Sequence, residues 1–400
     1  MAKKLKLSRV IRKMKRQASS GSPGPADSQK QAQRYEEKAI ALMNRGDILG
    51  ARKYHRLLLE LNERRFGPDS PEIISSLNNL ASNLSMSGDH KEAKEFFDRL
   101  IAICEKNLPP DNPETIAAKT NLAHNLSNLK DFATAESLYA QVLAVMERDF
   151  GPTNPITLDL ASNLASTLVD QGRHKEAIAH LRRILTIQEK ELGPDHLNVL
   201  YTLNQLAESL TALGDKESAR ELFVRLLATN EKKFGIGSKE SIPAMEALRN
   251  HLDTAGEHAA AAALGQRLLP VLTRVFGLDS DITLNTINCV AVSLARIERH
   301  KEALELFAQA LAARQRFSGQ SSPVTLEVAL NFALCLINNN DLEKARVILA
   351  KNLPLAKNVY GSDHRMTYQF SAQLAKTLLR LGDEAGCQDI LTRYPIPISG

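Results

Sequence analysis

A single 42-residue register runs through this 400-residue chain, and it restricts the fold more than any other feature. The segments Phe66-Gly67-Pro68-Asp69, Phe150-Gly151-Pro152-Thr153, Leu192-Gly193-Pro194-Asp195 and Phe276-Gly277-Leu278-Asp279 lie on one grid. Gly235, Gly319 and Gly361 fall on it too, with Pro109 standing in once. Leu fills all nine positions of the column from Leu42 to Leu378. Alanine fills another column at Ala51, Ala93, Ala135, Ala177, Ala219, Ala261, Ala303 and Ala345, failing only at Cys387. A second alanine column, from Ala39 to Ala375, fails only at Arg249. Nine copies in one register occupy the chain from about residue 25 to its end and leave no room for a separate catalytic domain.

Each copy reads as helix–turn–helix. In the second, Ser70-Pro71-Glu72 offers a cap, a proline at the first helical position and an acid in the first turn. Leu77, Leu80, Ala81 and Leu84 then recur at helical spacing. Gly88, like Gly172 and Gly214 in later copies, supplies a left-handed stop. Asp89 is placed to cap the second helix, with Glu92 completing a capping box, and Ala93, Phe97, Leu100 and Ile101 form its stripe. One hairpin cannot bury its apolar face alone, so neighbours must stack.

The sixth copy departs most. Pro243 implies a late start to its first helix, Arg249 replaces a small residue, and residues 259–263 carry little bulk. Pro270 and Pro354 should kink their helices. The expected organisation is a basic flexible tail (1–26), a regular block (27–235), a degenerate copy acting as a joint (236–276), a second block (277–394) and a short tail (395–400). The last helix is expected near 384–394, with Tyr394-Pro395-Ile396-Pro397 or a second chain covering its apolar end.

Composition narrows the chemistry. Aromatics are 5% and Trp is absent, so the core must be built from Leu and Ala. The four cysteines are scattered, which excludes a disulfide scaffold and argues against structural zinc. Cys289 and Cys335 are expected as small core residues. The net charge of +5 belongs to one tail: residues 1–26 hold eight Lys or Arg and no acid, leaving the body slightly acidic. That argues against a body-wide nucleic-acid footprint. Without a long apolar run, the expectation is a soluble, cytoplasmic protein.

Leu77, Leu80, Ala81, Leu84, Gly88, Ala93 and Phe97 resemble the tetratricopeptide repeat (TPR) signature of large, large, small, large, glycine, small and large residues. The 42-residue spacing, the Gly-Pro-Asp linkers and the Asn-Leu-Ala runs at 79–81, 121–123 and 163–165 are most similar to the kinesin light chain type. The resemblance implies an all-α, right-handed superhelix, a TPR solenoid. In that family the array is a cargo-adaptor surface that binds short peptides in a concave groove lined by the first helix of each copy.

Carried onto this chain, the resemblance places Ser75, Asn79, Ser82 and Met86 on the groove wall. One offset gives Asn79, Asn121, Asn163, Gln205, Ala247, Cys289, Asn331 and Gln373. An amide donates and accepts, so such a column can pair with the backbone of an extended peptide, or else simply bond neighbouring helices. His124, Asn128, Asp159, Asp170, Tyr201 and Glu208 make the middle polar to acidic, and Asn285, Arg296, Lys376 and Arg380 make the far end more basic. This gradient would orient a peptide, or be ordinary solvated surface.

His90, His174 and His300 head His-Lys-Glu-Ala runs, but lie two and three copies apart, too far to share a metal ion. No motif argues for catalysis, metal or cofactor. Residues 3–17 carry Leu7, Val10, Ile11 and Met14 among bases. They read as an anionic-surface contact (through residues 3–16), a mitochondrial-type transit peptide or a solubilising tail. The overall expectation is a non-catalytic scaffold with a protein or peptide partner. The alternatives are an array acting through self-association or end-on docking, and an unrecognised hydrolase.

Overall fold

The computed structural model describes residues 25–394, which form helices joined by short turns. The expectations for residues 1–24 and 395–400 lie outside the described residues. In chain order the helices are α1 (Pro25–Met43), α2 (Ile48–Phe66), α3 (Ile74–Met86), α4 (His90–Asn107), α5 (Pro113–Asn128), α6 (Phe132–Phe150), α7 (Pro155–Asp170), α8 (His174–Leu192) and α9 (Leu197–Ala212). They continue as α10 (Lys216–Phe234), α11 (Ile242–Ala255), α12 (His258–Phe276), α13 (Asp281–Arg296), α14 (His300–Phe317), α15 (Pro323–Asn338), α16 (Leu342–Tyr360), α17 (Arg365–Arg380) and α18 (Glu384–Arg393). Odd-numbered helices are first helices and even-numbered ones second helices of consecutive copies. Packing divides the chain into two compact units, residues 1–184 and 185–400, with the division inside α8.

The turn inside each copy shows how strongly the backbone constrains the sequence. Gly88, Gly172 and Gly214 sit at φ of 85°, 73° and 83°. The same grid position is left-handed in every copy, at Gly46, Gly256 and Gly382 and also at Lys130, Glu298 and Asn340. Three side chains therefore tolerate a conformation that costs an L-residue about 1 kcal/mol or more.

The caps correct the reading of the second copy. Ser70 makes no side-chain cap; Pro71–Ile73 is a 3-10 turn and α3 begins at Ile74. Asp89 does not cap α4 either, because its carboxylate pairs with Arg52 on α2 at 2.6 Å. Elsewhere Asp47, Asp131, Asp215 and Asp383 accept a backbone N–H from the first turn of α2, α6, α10 and α18. A competing cation on the preceding copy redirects Asp89.

In the core, Ala51, Ala93, Ala135, Ala177, Ala219, Ala303 and Ala345 are each fully buried. The second alanine column is buried likewise, and opposite it stand Phe97, Tyr139, Leu181, Phe223, Phe307 and Leu349, also buried. The sixth copy exchanges these roles. Arg249 takes an alanine position and is 7% exposed, while Gly265 takes the Phe/Tyr/Leu position. A Cβ on Gly265 would lie 3.3 Å from Arg249 Cδ and would overlap the Val290 side chain. The arginine stem thus fills the space that a Phe, Tyr or Leu side chain fills elsewhere. As expected, α11 begins late, at Ile242 after a 3-10 turn over Lys239–Ser241. Pro270 and Pro354 lie inside α12 and α16, which run on through them. The expected joint at 236–276 falls wholly within the second unit.

Within each unit the two sides of the stack are joined differently. First helices of adjacent copies touch: α3 with α5 and α5 with α7 in the first unit. In the second unit α9 touches α11, α13 touches α15 and α15 touches α17. Second helices are spanned by long ion pairs instead. Arg99 reaches Glu63 at 2.6 Å and Arg183 reaches Glu147 at 3.0 Å; Arg225 pairs with Glu189 and Arg267 with Glu231. Each pair is partly exposed and adds little stability alone. The ladder stops after α12, where Thr273 and Gln309 occupy its positions, and an open groove of about 650 Å³ lies there over Leu269, Ile287, Leu294 and Leu306.

Candidate functional site: the faces of the first helices

Because most adjacent first helices within a unit touch while second helices are spanned by long ion pairs, the first-helix side is the narrower one there. Its polar residues come from helical positions that point away from the alanine and leucine columns. In the first unit, Ser75, Asn79 and Met86 on α3 are exposed and Ser82 is half-buried; His124 and Asn128 on α5, and Asp159, Asn163 and Asp170 on α7, are also exposed.

The amide column is not uniform. Asn121 Nδ2 donates to Asn78 Oδ1 at 2.9 Å, clasping α5 to α3. Asn331 makes the equivalent bond to Asn288 at 3.4 Å, between α15 and α13. Gln205 is buried and donates to the Tyr201 hydroxyl one turn away on α9, at 2.7 Å; Tyr201 itself is about half exposed. Gln373 is half-buried on α17. The column therefore separates into open amides, Asn79 and Asn163, and amides engaged within the stack. Asn128 also turns back, donating to the His124 carbonyl at 3.1 Å. Sequence spacing places all of these on one face, and only the neighbouring copy's side chain decides which are occupied.

The basic end in the second unit is less basic than the sequence implies. Arg296 lies 3.6 Å from the Asp253 carboxylate and Arg380 donates to Asn340 at 3.0 Å. Asn285 accepts from Arg314, a second-helix arginine 1% exposed that also pairs with Asp281. Lys376 is exposed.

Other candidates resolve into packing. His90 Nδ1 lies 3.1 Å from Asn125 Oδ1, and Asn125 Nδ2 donates to the His90 carbonyl at 2.9 Å, fastening α5 to the start of α4. Cys335 is buried, and burial pushes its thiol up to about 11. Cys289 differs from its expectation: it is only half-buried, on α13. Among the described residues no three His, Cys, Asp or Glu side chains converge as a metal set, and no helix is long and apolar enough to cross a membrane.

The sequence reading missed two features here. The Arg–Glu ladder was legible as columns on the 42-residue grid, at Arg99, Arg183, Arg225 and Arg267 against Glu63, Glu147, Glu189 and Glu231. Glu246 on α11 was not, since its column is mixed, with Asn78, Asn204 and Asn288 beside Thr120, Ser162, Leu330 and Ala372, and an acid there breaks no pattern. It is half-buried, and burial pushes its carboxyl up, with Arg249 acting in the opposite sense.

Comparison with known proteins agrees with the fold. One tetratricopeptide repeat model matches residues 30–106, 114–189 and 157–232, and a second matches 283–323. No curated protein matches the chain. Among solved structures, apo RapI is similar with a TM-score of 0.58 at 12% identity, over 91% of this chain and 95% of that one. The apo quorum sensor NprR from B. thuringiensis gives 0.53 at 14%, over 92% and 98%. The nearly identical TPR-like repeats of a Podosopora anserina kinesin light chain give 0.46 at 24%, over 50% and 95%.

Proposed function

Because this chain belongs to the tetratricopeptide repeat family, we propose that it is a non-catalytic interaction scaffold. It holds an extended segment of a partner polypeptide along the first helices. The observation that carries this reading is the polar face of α3, α5 and α7. Asn79 and Asn163 stand exposed there beside Ser75, His124 and Asp159, while the clasp between Asn121 and Asn78 fixes the wall behind them. Open amides on a pre-organised wall suit the alternating donors and acceptors of a peptide backbone, and little ordering cost falls on the scaffold.

The test is selection of binders from a random peptide display library against the full chain, followed by Asn79→Ala/Asn163→Ala. The double variant should weaken the selected peptides by about fivefold or more, equivalent to about 1 kcal/mol for lost hydrogen bonds. Undiminished binding would refute the site. Asn121→Ala serves as the contrast, since it loosens the wall and should also lower stability.

A second reading, self-association or end-on docking, is favoured by one observation. Helix α18 has no buried residue, although Cys387, Ile390 and Tyr394 pack partly against the core of the second unit. A mass that rises with concentration in light scattering would support it, and a constant monomer mass would remove it.

A further inference from the structure

On the first-helix face of the second unit one junction places a carboxylate where others place a neutral or apolar side chain: Glu246 stands at the offset held by Asn204, Asn288 and Leu330 in the neighbouring copies. At two junctions an amide at this offset receives a hydrogen bond from the amide at the next offset of the following copy, Asn78 from Asn121 and Asn288 from Asn331. In the sixth copy both partners change. Ala247 stands where a clasping amide would reach back toward Asn204, and Asn204 bonds instead to Glu208 on its own helix at 2.9 Å. Forward of it, Glu246 replaces the receiving amide and the facing offset holds Cys289, a poor donor. Among the described residues no hydrogen bond and no ion pair within 4.0 Å reaches Glu246.

The obvious internal cation does not supply one. Arg249 lies one turn along α11, but its stem is buried toward Gly265 and its Nη2 donates to Asn250 at 2.6 Å. Its Nε is buried without a hydrogen-bond partner. A half-buried carboxylate thus stands at the junction of the sixth and seventh copies with no donor of the protein's own.

The geometry points to Glu246 as the contact that accepts a lysine or arginine side chain from a polypeptide held against the second unit, a reading that rests on the scaffold function proposed above. A carboxylate offers only acceptors, so it cannot take a peptide carbonyl as the neutral amides can. A half-desolvated carboxylate gains most from a donor that carries charge, because such bonds are shorter and stronger than neutral ones. Glu246 would give side-chain preference to a segment lying on the second unit.

The experiment uses the full chain and a positional-scanning library of random peptides, read against wild type and Glu246→Gln. Binders of the wild type should be enriched in Lys or Arg at one position. Glu246→Gln should weaken a lysine-bearing binder by about tenfold, the scale of one charge-assisted bond. It should leave the same peptide with Gln in place of Lys unchanged. Equal binding of the lysine peptide by both proteins overturns the inference while sparing the groove. Weakening of both peptides alike also overturns it, by showing a structural role. A library without binders removes the groove reading and this one with it.

Discussion

The fifth and sixth copies are built on the same backbone plan with opposite side chains. In the fifth, Ala207 admits a close neighbour and Phe223 fills the hairpin; in the sixth, Arg249 intrudes and Gly265 withdraws. Both copies keep two packed helices and the left-handed turn, at Gly214 and Gly256. The comparison teaches that the repeat conserves volume across the hairpin rather than residue type at either position. Volume can be exchanged, but charge cannot. The exchange brings a guanidinium into the hairpin with Nε unmatched, and Glu246 on the same helix lacks the amide clasp that Asn78 and Asn288 make at its offset.

The most disruptive way to break that comparison is Gly265→Phe, which restores the common residue beside the uncommon arginine. The ring has no room against Arg249 and Val290, and overpacking should cost about 3 kcal/mol. Adding Arg249→Ala should return part of the loss, which urea unfolding of the single and double variants would measure. If the double variant is no better than the single, the two positions do not share one volume.

Gly256→Ala asks where the sixth copy remains ordinary. At φ 91° the added Cβ should cost about 1 kcal/mol, as it would at Gly214, read as a lowered thermal midpoint. The smallest effect belongs to Glu246→Gln without peptide. Burial raises the folded carboxyl above its unfolded value of 4.5, so ionisation destabilises the native state. Wild type and variant should match below about pH 4.5 and diverge in favour of the glutamine as pH rises toward the raised folded value, by well under about 1 kcal/mol at this partly exposed site. A wild type more stable than the variant at neutral pH would show that the carboxylate has an internal partner.

Much of this was legible before any coordinates. Alanines repeated on a 42-residue grid can only be contacts between helices, and each proved buried except where Arg249 and Cys387 interrupt the columns. A glycine after six of the nine first helices signals a left-handed turn, and Lys130, Glu298 and Asn340 adopt it in the other three because the turn is dictated by the packing around it. The candidate site was less legible. Asn79 and Asn121 are indistinguishable in the sequence, yet Asn121 meets Asn78 while Asn79 faces outward. Asp89 likewise looks like a cap and serves as an ion-pair partner for Arg52.

Periodicity alone determined the helices, their order and the faces they bury, because apolar burial at helical spacing is a local property repeated nine times. Only the tertiary structure decided which polar groups remained free for another molecule. Hydrogen bonds and ion pairs between copies join residues some 35 to 43 positions apart, and whether two such groups meet depends on the stacking of neighbouring helices.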